Sequence, residues 1–322
     1  MVEKQVVKIL DEIKGRHFDN IYFVACGGSS ALMYPSQYFV DVRSQRLSAE
    51  YLNAAEFVHR NPASLTKSSV VILCSQEGAT PETVAAAKFA REKGATTICL
   101  TMVDNSPLEK ESEFWIKYGY YETADAIDTS YGCMYQLTAG IVDSQEGSNY
   151  HEKMVSNLKN LTVVINEAKE QFTERAQEFG ESCKEDRVVY SLASGSDYSQ
   201  AYVFCNCYMM EMQWINAIPI HAGEFFHGPF EIIEKNSPVV MLMGQDETRP
   251  LEERALNFLK TYTDRIFLID TADVDFSSID PDFVGVCAPL VLNNICRMFS
   301  KAIAKSRNHS LDIRRYMHIV EY

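Results

Sequence analysis

Ser68-Ser-Val-Val-Ile-Leu-Cys-Ser-Gln-Glu77 lies over Ser237-Pro-Val-Val-Met-Leu-Met-Gly-Gln-Asp246 without a gap. Pro81 falls on Pro250 in the same register, each at the start of a helical stretch. Upstream, Ile21–Ala25 resembles Val188–Leu192, and Gly28-Ser29 falls on Gly195-Ser196. Two βα units repeated in one order imply duplication of a single open domain. Within each copy, short apolar runs alternate with amphipathic helical stretches, the pattern of βαβ units on a parallel sheet. The expected fold is therefore α/β, with two tandem parallel sheets, each flanked by helices on both faces. The first domain is expected over 1–155 and a connecting helix over 156–186, with the second domain beginning at Arg187 and running over 187–322. A chain of 322 residues fits two domains of roughly 150 each.

The charge balance limits the partners. Thirty Lys and Arg face 44 Asp and Glu, for a net charge of −14. Nucleic acid and anionic membranes reward basic surface, so neither is expected. An anionic ligand must be held by local dipoles against the overall field. The longest apolar runs are strand-sized, such as Val70–Cys74, and no bilayer-spanning segment is expected. Nine cysteines occur without a CxxC pair, mostly inside apolar segments. They read as buried reduced thiols of a cytoplasmic protein, with no metal site and no cofactor.

Ser75-Gln76-Glu77-Gly78-Ala79-Thr80-Pro81 joins a buried strand to a helix N-terminus. Unpaired N–H groups and the positive end of the helix dipole favour a phosphate there, and the hydroxyls of Ser75 and Thr80 add donors. The turn Gly27-Gly28-Ser29-Ser30 follows the neighbouring strand, so both loops can face one ligand. The bland alternative is that Ser75 and Thr80 simply cap the helix. In the second copy Ser75 and Thr80 become Gly244 and Arg249, so one anion site is expected, not two.

The apolar helical run Tyr202–Trp214 holds one charge, Glu211. A carboxylate on a largely buried helix requires a partner or a task. His227 precedes Gly228-Pro229 and so sits on a turn, where a histidine can act as general acid or base. Taken alone, Glu211 could equally be a salt-bridged core residue and His227 a structural turn residue. Glu224 either bonds the His-Gly-Pro turn or takes part in the chemistry.

Together, the Cys-Gly-Gly-Ser turn, the Ser-Gln-x-Gly-x-Thr loop and Glu224-x-x-His227-Gly-Pro resemble the double sugar isomerase (SIS) family, which includes the isomerase half of glutamine:fructose-6-phosphate amidotransferase. The resemblance covers nearly the whole chain. It implies that Ser29, Ser75, Gln76 and Thr80 bind a sugar phosphate within the turn opened by Gly27, and that Thr129 or Ser130 touches the sugar. It further implies that Glu211 moves a proton between C1 and C2, and that His227 serves ring opening from the partner subunit of a homodimer or higher oligomer with shared active sites.

Four departures narrow the function. No glutaminase domain is expected ahead of the motifs, and the lysine expected three residues before the carboxylate is Tyr208. The C-terminal lysine that can form an imine falls on His318, and Glu77 replaces a hydroxyl of the phosphate loop. This pattern looks like the fructosamine 6-phosphate deglycases, whose substrate carries its own C1 amine and needs no enzyme lysine. Other readings are a different SIS isomerase or aminosugar-phosphate deaminase, and a non-catalytic phosphosugar sensor. The sensor would need neither Glu211 nor His227.

Overall fold

The computed structural model describes residues 1–317 and 319–321. The chain forms two units, Met1–Thr162 and Val163–Tyr322.

In the first unit the strands are β1 (Asn20–Ala25), β2 (Ser48–Asn53), β3 (Ser69–Cys74), β4 (Thr96–Thr101) and β5 (Phe114–Lys117). They form one parallel sheet in the order β2-β1-β3-β4-β5. Its helices are α1 (Val2–Glu12), α2 (Gly27–Ala31), α3 (Tyr34–Arg43), α4 (Ala54–Arg60), α5 (Pro81–Glu92), α6 (Pro107–Glu111), α7 (Ser130–Glu146) and the first part of α8 (Tyr150–Gln171). Every residue of β1, β3 and β4 is buried, as parallel strands covered on both faces must be. One face packs Tyr22, Val24, Val71 and Leu73 on Phe57 of α4 and on Ala86, Ala87 and Ala90 of α5.

The second unit repeats the plan with β6 (Val188–Ala193), β7 (Asn216–His221), β8 (Val239–Met243) and β9 (Ile266–Asp270) in the order β7-β6-β8-β9, again parallel. Here β6 and β8 stand where β1 and β3 stand in the first unit, as the repeat requires, while β5 has no counterpart among the described residues. The helices are α9 (Thr173–Cys183), α10 (Tyr198–Tyr202), α11 (Arg249–Tyr262) and α12 (Val284–Ser306). The polar stretch expected as the connector is made by the end of α8 and by α9, with a break at Phe172.

The sequence reading missed α12. By length and composition it could cross a bilayer, so the expectation that every apolar run is strand-sized is corrected here. It is nevertheless a core helix, with 61% of its most apolar window buried. Phe299 packs on Phe179 of α9, which also touches Phe267 of β9. All nine cysteines are free, and only Cys26 is partly exposed.

In both sheets the strand order reverses direction between the first and third strands of the unit. The crevice beyond their C-terminal ends is where open α/β sheets take ligands.

Candidate active site

Ala25 and Cys74 are register partners, so the loops after β1 and β3 leave the sheet side by side. Gly27 opens its turn at φ +55, in the left-handed region. Ser29 is half-buried and Gly28 exposed, while the buried Ser30 donates its hydroxyl to Tyr51 at 2.8 Å. In the second loop Ser75 is buried, and its hydroxyl meets that of Thr80 at 2.9 Å. Thr80 is the N-cap of α5 but makes no side-chain cap bond. The helix-cap alternative is thus not realised: the two hydroxyls bond each other at the mouth of α5. Gln76 and Glu77 are exposed. The Gln76 carbonyl is held by the Thr101 hydroxyl at 3.1 Å and the Met102 N–H at 2.9 Å. Gly78 has φ +63, and a Cβ there would stand 2.3 Å from Ser106 Oγ, so only glycine fits.

Beneath these loops lies a buried group of Cys74, Tyr118 and Cys133. Burial pushes the Cys74 thiol up to about 12, so it stays protonated, with the Ser29 and Tyr118 hydroxyls as its hydrogen-bond partners. Thr129 is occupied as the N-cap of α7: it donates to the Ala126 carbonyl at 2.8 Å and accepts from Gly132 N–H at 3.3 Å. Ser130 is half-buried at the first position of that helix.

The second unit fills the corresponding cradle with its own carboxylates. Asp246, the counterpart of Glu77, accepts from the Ser196 N–H at 3.0 Å, the Ser196 hydroxyl at 3.1 Å and the Thr248 N–H at 2.8 Å. Glu252 accepts from the Ser194 N–H at 2.9 Å and from the Gly244 N–H at 3.0 Å. Burial pushes the Glu252 carboxyl up to about 7. Arg249, which replaces Thr80, forks onto Asp270 at 2.9 and 2.8 Å and reaches the Gly244 carbonyl. The donors that would take an anion are already engaged. Asp197, the counterpart of Ser30, is fully buried with neither oxygen hydrogen-bonded, and burial beside Glu252 and Asp246 raises its carboxyl well above the usual range.

Glu211 lies on a π-helix, Val203–Met212. Such widened turns are rare and recur at functional sites. Its carboxylate is not buried but 24% exposed, and it pairs with Arg314, itself 21% exposed, at 2.9 Å. Both line a cleft of about 560 Å³ with Asn206, Trp214, Asn216 and Arg315. Glu211 thus has a partner and an open site. Cys207, one turn earlier, is buried, and its thiol is pushed up to about 12 by burial and then by Glu211. It stays protonated, leaving Glu211 as the carboxylate of this wall. Sequence reasoning missed Arg314, which sits in a tail with no periodicity and is 103 positions from its partner (314 − 211).

His227 is exposed on a short 3-10 turn closed by its N–H onto the Glu224 carbonyl at 2.9 Å. Gly228 follows at φ +140. Glu224 thus supports the turn through its backbone, while its exposed carboxylate acts electrostatically on His221. His221 accepts from Gly223 N–H at 3.1 Å, and burial lowers its proton affinity. His318 lies outside the described residues.

The family model for the SIS domain matches residues 16–140. The chain is 45% identical to fructosamine deglycase FrlB of Bacillus subtilis (strain 168), over 100% of this chain and 98% of that protein. It is 29% identical to the fructoselysine 6-phosphate deglycase of Escherichia coli (strain K12), over 98% and 90%. A crystal structure of a candidate phosphosugar isomerase from Bacillus subtilis superposes with a TM-score of 0.98 at 45% identity, covering 99% of this chain and 97% of that one. The chain belongs to the SIS-domain family, alongside the fructosamine deglycases.

Proposed function

We propose that this protein is a fructosamine 6-phosphate deglycase, cleaving a fructose–amino-acid 6-phosphate to glucose 6-phosphate and the free amino acid. The observation that carries the reading is 45% identity to a fructosamine deglycase across essentially both full lengths, with a carboxylate base on an open cleft. The side-by-side loops at Gly27–Ser30 and Ser75–Thr80, with paired hydroxyls at a helix N-terminus and Gln76 on the same turn, support phosphate binding there. The sugar contact is assigned to Ser130 at the start of α7, or to Thr129 through the acceptor lone pair left by its capping bonds.

The substrate is a C2 ketone, once its ring is open, with the amine on C1. Glu211 takes the proton from C1 while a general acid, the role assigned to His227, protonates the C2 oxygen, giving an enaminol. Return of a proton to C2 gives the C1 aldimine. Water adds to C1, the amine leaves, and the aldehyde of glucose 6-phosphate remains. Atoms balance with one water consumed. His318 and Glu224 are assigned supporting roles, acid–base and turn-holding respectively.

The exposure of His227 supports a homodimer or higher oligomer with shared sites. Nine free thiols support a cytoplasmic location. The test is incubation with fructoselysine 6-phosphate, with glucose 6-phosphate followed through a coupled dehydrogenase. Turnover that disappears in Glu211→Gln and in His227→Ala is expected, and its absence in the wild type would overturn the reading. Mixing the two inactive variants should restore part of the activity if sites are shared, and restore none if each chain works alone.

A further inference from the structure

The cleft beside Glu211 holds two arginines in succession, in a protein whose net charge is −14. They are not equivalent. Arg314 is committed: it pairs with Glu211 at 2.9 Å and donates to the carbonyls of Leu311 at 2.6 Å and Ile313 at 3.1 Å. Arg315 is exposed, and its guanidinium lies over the Trp214 ring, 4.2 Å from the centroid. Among the described residues, no carboxylate pairs with Arg315. Stacking on an aromatic face uses the flat side of a guanidinium and leaves its N–H donors in the plane, where a carboxylate can be held by two parallel bonds.

Trp214 is built for this placement at some cost. It has φ +56, a left-handed conformation that disfavours side chains by roughly 1–2 kcal/mol. It follows the π-helix that carries Glu211 and meets the His309 ring edge-on, with ring centroids 4.5 Å apart. The tail is tied down beside it: Gln213 donates to the His309 carbonyl at 2.9 Å, and Arg307 donates to the Gln213 carbonyl at 3.3 Å. Despite this anchoring the indole remains 39% exposed in the cleft. A strained, anchored aromatic residue carrying an arginine that has no carboxylate partner among the described residues, on the same wall as Glu211, is the arrangement of a recognition subsite.

We propose that this cleft receives the amino-acid part of the substrate and that Arg315, stacked on Trp214, binds its carboxylate and so determines specificity. The inference rests on the deglycase reading. The fructosyl group could be carried on the α-nitrogen, with the carboxylate one carbon away, or on a side-chain nitrogen, with the carboxylate at the far end. Both present the same anion to Arg315, at different distances from C1.

The test compares kcat/KM on two substrate pairs that differ only in that carboxylate: fructosylglycine against fructosylmethylamine 6-phosphate, and ε-fructosyllysine against fructosylcadaverine 6-phosphate. The wild type is expected to prefer the carboxylated member by ten- to a hundredfold in one pair, and that pair identifies where the anion sits. Arg315→Gln should bring the ratio close to one, and Arg315→Lys, which keeps the charge but loses the fork, should restore part of it. A wild-type ratio near one in both pairs, or a ratio unmoved by Arg315→Gln, overturns the subsite while leaving the deglycase standing. Absence of turnover on all four substrates overturns the deglycase reading and the subsite with it.

Discussion

Replacing Asp197 with asparagine removes the one fully buried carboxyl of the filled cradle that has neither oxygen bonded. Burial first, then the nearby carboxylates of Glu252 and Asp246, raise its proton affinity well above the ordinary value. The folded state therefore keeps the proton where the unfolded chain, with a pKa near 3.9, releases it. For an acid raised in this direction, unfolding releases a proton, so stability is greatest at low pH and falls as pH rises toward the folded-state value. Each pH unit in that window removes about 1.4 kcal/mol. The loss accumulates at that slope while the pH lies between the unfolded value and the raised folded-state one, against the ~5–15 kcal/mol of a typical domain. Asparagine does not titrate, and its NH₂ can donate to the flanking carboxylates. Asp197→Asn should therefore flatten the pH dependence and be the more stable protein at pH 7. The assay is urea unfolding at pH 5, 6 and 7 followed by tryptophan fluorescence in a Trp115→Phe background, so that Trp214 reports on the second unit alone. Equal pH dependence in the two proteins, or an Asp197→Asn variant less stable at pH 7, would refute the reasoning.

Ser75→Ala and Thr80→Ala should each raise KM for a phosphorylated substrate roughly tenfold, about 1.4 kcal/mol, by removing one hydroxyl donor; steady-state kinetics showing no rise in either would remove those hydroxyls from the binding loop. Arg314→Gln should lower kcat by about tenfold or more with a smaller change in KM, and Arg314→Lys should recover part of it, because the guanidinium positions the Glu211 carboxylate. A change confined to KM would make Arg314 a binding residue instead. A thiol reagent should modify Cys26 in the native protein and all nine cysteines after denaturation, since the other eight are buried; a second fast-reacting native thiol would contradict the packing around Cys74 and Cys133.

The parts of the fold that could be read in advance are those where burial is continuous. The strands β1, β3, β4 and β8 are buried along their whole length, so their apolar runs stand out from the polar turns. The edge strand β2 is largely exposed or half-buried, and β7 alternates around Pro219, which a sheet edge tolerates. Neither leaves a clear local signal. Pro289 inside α12 disguises the longest core helix of the second unit.

At the site, the loss of Ser75 and Thr80 in the second copy announced that one cradle had lost its hydroxyl pair. What took its place depended on the fold, because Asp246 meets Ser196 across 50 positions and Glu252 meets Ser194 across 58. Glu211 was visible as a lone charge in an apolar helix, but its partner Arg314 and the stacked pair Trp214–Arg315 arise from a tail folding back on the π-helix, which no sequence periodicity encodes.

The claim at the centre of this account is that a proton moves from C1 to C2 before the amine leaves. Substrate labelled with ¹³C at C2, followed by NMR as it turns over, tests this directly. The account predicts that the labelled carbon becomes the hydroxyl-bearing C2 of glucose 6-phosphate, one for one with released amino acid, and that Glu211→Gln leaves the label unchanged. A label that ends at the hemiketal carbon of fructose 6-phosphate would mean direct cleavage of the C1–N bond, and would contradict it.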